Sequence, residues 1–333
     1  MTAGKRDNRE LLYKVLATLY RYSEDLVVLD YPRSIERRSI DLAVRLRGKT
    51  RLLVKVAFDA DQIPRSEIAE LAGLSRVLGV PGIIVSAMKG GMPLLEGVVY
   101  EKSGIRVVGL ETLEGVLSGR EEVYIYESKD TFKLSIDADK VRSKRLEKNL
   151  SLGDLALMVG VSRRAIYEYE KGSMEPTIEK GERLVRVLGE DIVKPINIFE
   201  PARKVRVGLQ ENYDSELERK VALELEKAGY KVVHAKRTVL DISASTMDDK
   251  SGIKRTAYVV EHPRERPEKL VEKAYYLDKM SETIGVEERY VIVEDEKKAR
   301  IAVREGLNPI TIDEVLAQLR CKQRGDKEER RIP

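Results

Sequence analysis

From Arg9 to about Arg21, apolar residues recur at Leu11, Leu12, Val15, Leu16 and Leu19, the spacing of one helix face. The period then changes. DLVVLDYP (25–32), SIDLAVRL (39–46) and RLLVKVAF (51–58) are short β-branched runs bounded by turn signals such as RGKT, so they read as strands, the last two as a hairpin. SEIAELAGLSRVLG (66–79) returns to helix with Ser66 as the expected N-cap. GIIVSAM (82–88) reads as a buried strand, and GIRVVGLETLEGVL (104–117) as a strand leading into a helix. These elements predict an α/β domain over residues 1–128.

The far end of the chain repeats the order. SELERKVALELEKAGY (215–230) is helical; KVVHA, TVLDISAS and TAYVVEH are strands; PEKLVEKAYYLDKMSETIG (267–285) is helical; RYVIVE is a strand; GLNPITIDEVLAQL (306–319) gives a strand and then a helix. SIDLAV is matched by VLDISA, and GIRVVGLETLEGVL by GLNPITIDEVLAQL. A second α/β domain similar to the first is expected over 201–320, two unrelated α/β domains being the alternative. The tail 321–333 has no apolar pattern and is expected to be disordered.

Between them, over 129–200, the periodicity is helical in short pieces. KVRSKRLEKN forms the first helix, and SLGDLALMVG begins with Ser151 three residues before Asp154, an approximate capping box, and ends at Gly160. Only Val161 and Ser162 then precede RRAIYEYEKG, which Ser162 can cap. Two short helices on so tight a turn form a helix-turn-helix, whose second helix enters the DNA major groove. Leu155, Ala156, Val159, Val161, Ile166 and Tyr169 fall where the two helices must pack. The stretch from Val141 to Gly189 resembles the lambda-repressor/Cro-type DNA-binding domain, a five-helix bundle, and the whole chain looks like the archaeal transcriptional regulators that carry this domain centrally.

That resemblance implies roles. Arg163 and Arg164 follow the cap where the family puts base-contacting residues, and arginine can grip guanine O6 and N7 with two parallel hydrogen bonds. Ser162, Tyr167 and Glu168 are expected on the same exposed side, with Glu168 accepting from a cytosine amino group. Lys140, Arg142, Lys144, Lys148 and Lys171 are expected to neutralise phosphates. Arg145 and Glu170 are, by the family's pattern, a structural ion pair. Leu152 stands where the family often has a glutamine that touches phosphate and base.

The flanking domains resemble the restriction-endonuclease-like core, in which an aspartate precedes a Glu/Asp-x-Lys triplet that holds a divalent metal. Here Asp41 is followed by Leu53, Val54 and Lys55, and leucine cannot ligate magnesium. The second copy has Asp241 and Glu261 without the lysine. Both read as degenerate scaffolds with no catalytic residues. MKGGMP (88–93) reads as a turn, and His234 and His262 as ordinary strand-end residues without a zinc site.

Composition narrows the class further. The chain has 333 residues, a net charge of +4, and one cysteine, Cys321, which excludes an internal disulfide framework and a Cys-rich zinc site. No apolar run approaches membrane-spanning length and the first residues lead into an amphipathic segment, so a soluble cytoplasmic, nucleoid-associated protein without a membrane partner is expected. Scarce Asn and Gln, abundant Lys, Arg and Glu, and no Trp suit a protein kept stable at high temperature. The expectation is a DNA-binding transcriptional regulator of α/β plus all-α class. It is expected to bind double-stranded DNA as a homodimer and to need no cofactor, with outer domains that dimerise, sense a signal or both; the sequence does not say whether there is a small-molecule effector. A metal-dependent nuclease targeted by the helix-turn-helix, or an architectural DNA-binding protein, are the alternatives.

Overall fold

The computed structural model describes residues 3–200, 213–248 and 252–317. The expected tail 321–333, with Cys321, lies outside them. Helix α1 (Ala3–Tyr22) buries Leu11, Val15 and Leu19. The elements that follow are β1 (Ser23–Val28), β2 (Leu42–Leu46), β3 (Arg51–Asp59), α2 (Arg65–Leu78), β4 (Gly82–Lys89), β5 (Met92–Pro93), β6 (Val98–Lys102), β7 (Ile105–Val108) and α3 (Leu110–Leu117). Strands β8 (Ile125–Ser128) and β9 (Thr131–Leu134) form a hairpin that extends the same sheet, with order β1-β2-β3-β4-β7-β6-β8-β9 and β5 paired to β4. The limit expected at residue 128 thus falls in the turn of this hairpin.

Ser66 is not the N-cap of α2. Pro64 takes that position and its carbonyl accepts from the Glu67 and Ile68 amides, so Ser66 lies within the first turn. The double glycine of MKGGMP does make a turn, and its two amides are not idle. Gly90 and Gly91 donate to the Asp59 carboxylate at 3.0 and 2.8 Å, so the protein supplies its own anion there.

The central domain contains α4 (Ala138–Glu147), α5 (Leu152–Val159), α6 (Arg163–Glu170) and α7 (Ile178–Leu188). The expected fifth helix is a single 3₁₀ turn, Glu190–Ile192. This domain is tied to the first sheet through the hairpin. Leu134 N–H donates to the Pro176 carbonyl (3.0 Å), Asp137 N–H to Ile192 (2.8 Å) and Lys194 N–H to Ser135 (3.1 Å). The side chain of Leu134 fills the space where a β-carbon on Gly181 would lie.

The second α/β domain contains α8 (Glu216–Lys227), β10 (Lys231–His234), β11 (Ile242–Asp248), β12 (Gly252–Val260), α9 (Pro267–Ile284), β13 (Glu288–Ile292), α10 (Glu296–Arg304), β14 (Pro309–Ile310) and a final helical turn at 312–317. Its sheet order, β10-β11-β12-β13-β14, shares the pairing senses of β1-β2-β3-β4-β7: antiparallel, antiparallel, parallel, parallel. The agreement reaches single bonds. Asp41 N–H donates to Val54 and its Oδ2 accepts from Val56 N–H (2.8 and 2.7 Å); Asp241 N–H donates to Tyr258 and its Oδ2 accepts from Val260 N–H (3.0 and 2.8 Å).

The two α/β domains share one core. Helix α2 lies on its own strands β3 and β4 and also on β10 and β11, while α9 lies on β12 and β13 and also on β1 and β2. Ile68, Leu71 and Leu74 of α2 and Leu270, Ala274 and Leu277 of α9 are buried in a single apolar layer between the two sheets. The contacts are reciprocal, the signature of a two-fold interface. The Arg255 guanidinium lies against Gly79 at the end of α2, and the Arg51 guanidinium against Gly285 at the end of α9. Both glycines take left-handed φ (63° and 69°), so a side chain there would meet backbone strain as well as an arginine.

Candidate nucleic-acid interface

Local chemistry shapes the helix pair. Ser151 accepts from the Asp154 amide and Asp154 accepts from the Ser151 amide, a complete capping box that holds the Asp154 carboxyl below its usual range through the Ser151 hydrogen bonds. Gly160 ends α5 in the left-handed region at φ 75°, and its amide and that of Val161 return to the Ala156 carbonyl. Two residues later the Ser162 hydroxyl accepts from the Ala165 amide (3.1 Å) and starts α6. Leu155, Ala156, Val159, Ile166 and Tyr169 close the angle between the helices and share a core with Val141, Leu184 and Leu188.

Arg145 and Glu170 lock the third side. Arg145 Nε and Nη2 meet the two Glu170 oxygens at 2.5 and 2.9 Å, and Nη1 donates to the Leu150 carbonyl. Both side chains are nearly buried, so the fork joins α4, the α4–α5 turn and α6.

Burying Ile166 and Tyr169 turns the opposite side of α6 outward. Ser162, Arg163, Arg164 and Tyr167 are exposed along it, and the Arg164 side chain is 88% accessible. Glu168 stands apart from them. It is half-buried, the Ser173 hydroxyl donates to its carboxylate, and Arg164 Nε lies 3.9 Å away, so the acceptor expected to read cytosine is already engaged within the domain. Among the expected phosphate contacts, Lys140, Arg142, Lys148 and Lys171 are exposed. Lys144 differs: it pairs with Glu147 (3.3 Å) and with Asp191 of the 3₁₀ turn (3.2 Å), which neutralise its charge and raise its pKa. Leu152 rests partly against the domain core.

The nuclease-like position of the first α/β domain holds a buried ion cluster. Asp41 is fully buried, and Lys55 Nζ lies 3.4 Å from its Oδ2, 4.0 Å from Glu67 Oε2 and 2.9 Å from the Ile35 carbonyl, to which it donates. Glu67, on α2, is a carboxylate that the strand motif did not reveal. Burial raises both acids, Glu67 to about 7. The Lys55 ammonium lies between the two carboxylates and Leu53 offers no donor, so a magnesium ion would have to displace that ammonium. Asp41 Oδ1 and Glu67 Oε2 have no hydrogen-bond partner among the described residues, and a pocket of about 300 Å³ lined by Glu36, Lys55, Asp59 and Glu67 opens beside them. In the second domain Val259 stands where Lys55 would be, and Lys273 of α9 pairs with Asp241 at 2.6 Å instead. Glu261 is taken up by Lys298 and the Glu294 and Asp295 amides.

His234 is not an ordinary strand-end residue. It is buried with its Nε2 2.9 Å from Glu218, whose other contact is the Asp214 amide, while His262 Nε2 lies 3.0 Å from the Asp214 carbonyl. Asp214, Glu218 and His234 come within metal-ligating reach of one another. The Asp214 carboxylate, however, carries the Lys236 ammonium, and His234 Nδ1 has no hydrogen-bond partner among the described residues to orient the ring as a ligand.

A helix-turn-helix with an exposed arginine pair on its second helix, built into an α/β scaffold, defines a DNA-binding protein. Comparison with known proteins agrees: residues 141–194 match a family described as helix-turn-helix, and residues 8–123 match one described as a PD-(D/E)XK superfamily domain. A relative from Aeropyrum pernix, named "Putative HTH-type transcriptional regulatory protein", is 44% identical over 292 residues, covering 88% of each chain. Relatives of the same description from Sulfurisphaera tokodaii (28%, covering 91% of this chain and 97% of the relative) and Pyrococcus abyssi (29%, covering 83% and 84%) follow. The chain belongs to this family of archaeal helix-turn-helix-type transcriptional regulatory proteins. No solved structure matches it. Among the described residues no helix is long and apolar enough to cross a membrane.

Proposed function

We propose that the protein is a sequence-specific transcriptional regulator that seats α6 in the major groove of double-stranded DNA, within the cytoplasm and at the nucleoid. One observation carries this reading. Arg163, Arg164 and Tyr167 project together from the first two turns of α6, on the side opposite Ile166 and Tyr169, so the helix can enter a groove without disturbing its own core. Arg163 and Arg164 read base edges; Lys140, Arg142, Lys148 and Lys171 hold phosphates. One helix reads too few base pairs to define a genomic address, so the functional unit is a homodimer on a near-palindromic site. The α2 and α9 faces are consumed within the chain, so a second copy must dock elsewhere. Genome-wide mapping of bound DNA tests the reading: discrete promoter sites support it, and scattered coverage favours an architectural role.

The α/β domains act as scaffold and sensor rather than as nuclease. The Asp41–Lys55–Glu67 cluster supports this, since the Lys55 ammonium already stands against both carboxylates and the strand position that should supply a second carboxylate is Leu53. Purified protein is expected to shift its site on a gel and leave it uncut with Mg²⁺ or Mn²⁺. Nicking abolished by Asp41→Ala and by Lys55→Ala would establish the enzyme instead.

A further inference from the structure

Around the buried aspartates the two α/β domains share their bonding, and two of the places where they differ lie next to each other. In the first, residues 30–40 lie between Leu29 and Asp41, which are joined by a main-chain hydrogen bond; in the second, only residues 236–240 lie between the equivalent pair, Ala235 and Asp241. Counted back from the glycines that end them, α9 starts a full turn before α2, with 18 residues against 14. The long loop and the extra turn meet across the seam between the domains.

Where the short partners meet, the seam is closed by direct bonds. The Arg237 amide and guanidinium donate to Glu70 at 3.1 and 2.7 Å, and the Ser39 hydroxyl donates to the same carboxylate at 2.5 Å. Where the long partners meet, a cavity of about 630 Å³ remains, walled by Tyr31, Pro32 and Arg33 of the loop and by residues 264–272 at the head of α9. The longer loop and the longer helix together therefore build one cavity that the shared fold does not require.

Its lining is charged, with an excess of one cation. Glu265 is matched by Lys269 at 2.7 Å and by Lys273 at 3.7 Å. Arg33, Arg264 and Arg266 are exposed, and their guanidinium groups have no ion pair or hydrogen bond with a described residue. Glu268 and Glu272 also line the wall, so with Glu265 the lining holds three acids against the four cations Arg33, Arg264, Arg266 and Lys269. Guanidinium forks suit phosphate oxygens, and the volume lies in the range of small-molecule sites, about 300–1,000 Å³.

We propose that this seam cavity binds a phosphorylated small molecule of nucleotide size, held by Arg33, Arg264 and Arg266. Ligand there touches both domains at once. Its use as the regulator's effector rests on the regulatory reading above; the binding itself does not, and is measured without DNA.

The test is calorimetric titration of the full chain with ATP, inorganic triphosphate and citrate. One-site binding of ATP or triphosphate is expected, weakened at least about tenfold in the Arg264→Gln/Arg266→Gln double variant and unchanged in Arg163→Gln/Arg164→Gln. ATP bound more tightly than triphosphate identifies a nucleotide ligand; equal binding identifies a polyphosphate one. All four arginines are exposed, so an unchanged melting temperature confirms that each variant is folded. No binding at millimolar ligand, equal binding of citrate, or loss of binding in the Arg163/Arg164 variant in place of the seam variant would overturn the assignment.

Discussion

Glu67 and Lys273 occupy the same place in the two α/β domains, twelve residues before the glycines that end their helices, and carry opposite charge. Each faces the buried aspartate side of its own domain. In the first, the neutralising lysine comes from the strand, at Lys55, and the helix adds an acid; in the second, the strand position is Val259 and the helix supplies the lysine. The lysine has changed element while the buried aspartate has kept a cation.

Removing that cation is expected to be costly. Lys273→Met leaves Asp241 buried with its Oδ1 partner gone, so the full chain should lose about 3–5 kcal/mol in chemical denaturation, as when one member of a buried pair is deleted. Adding Asp241→Asn should recover part of the loss. A single variant as stable as wild type would show that the pair does not hold the domain.

Glu67 sets a pH dependence whose sign follows from its raised pKa. Its ordinary value is 4.5 and burial lifts it to about 7 in the folded chain, so between those values the folded state holds a proton that the unfolded state has released. Its contribution is fully present below about pH 4.5 and is lost as pH rises through about 7. Glu67→Gln should therefore flatten the fall in stability between pH 5 and pH 7, read from denaturation midpoints. Because Glu175 is lifted to about 7 as well, the comparison is with wild type and not with a flat line. Parallel profiles for the two proteins would refute the assignment.

On DNA, Arg163→Ala or Arg164→Ala should cost about 1–3 kcal/mol at the preferred site and relax its sequence preference. Lys140→Ala should weaken all sequences alike and reduce the salt dependence. Lys144→Ala should do less, because Glu147 and Asp191 already hold its charge. Binding curves at two salt concentrations separate the three behaviours.

The attachment of the central domain can be probed at one position. Gly181→Ala places a methyl group where Leu134 now packs, and overpacking of this kind costs about 1–3 kcal/mol. Leu134→Ala in the same chain should relieve the clash. Additive destabilisation by the two substitutions would argue against contact between them.

The sequence determined the helix-turn-helix by itself, because its signals are local: Ser151 with Asp154, Gly160 and Ser162 each act within four residues, on the backbone beside them. It also revealed the repeated order of elements, since apolar periodicity reports which face each element buries. It did not reveal β6, β8, β9 or α10, whose short or strongly charged segments depend on neighbours for their partners. Tertiary structure alone decided that Lys144 meets Asp191 and that Lys273 neutralises Asp241. It also decided that α2 and α9 form one layer between two sheets, leaving a cavity at Arg33. A side chain's charge is written in the sequence, but its partner is chosen by which distant surfaces pack, and long-range burial is what no local pattern encodes.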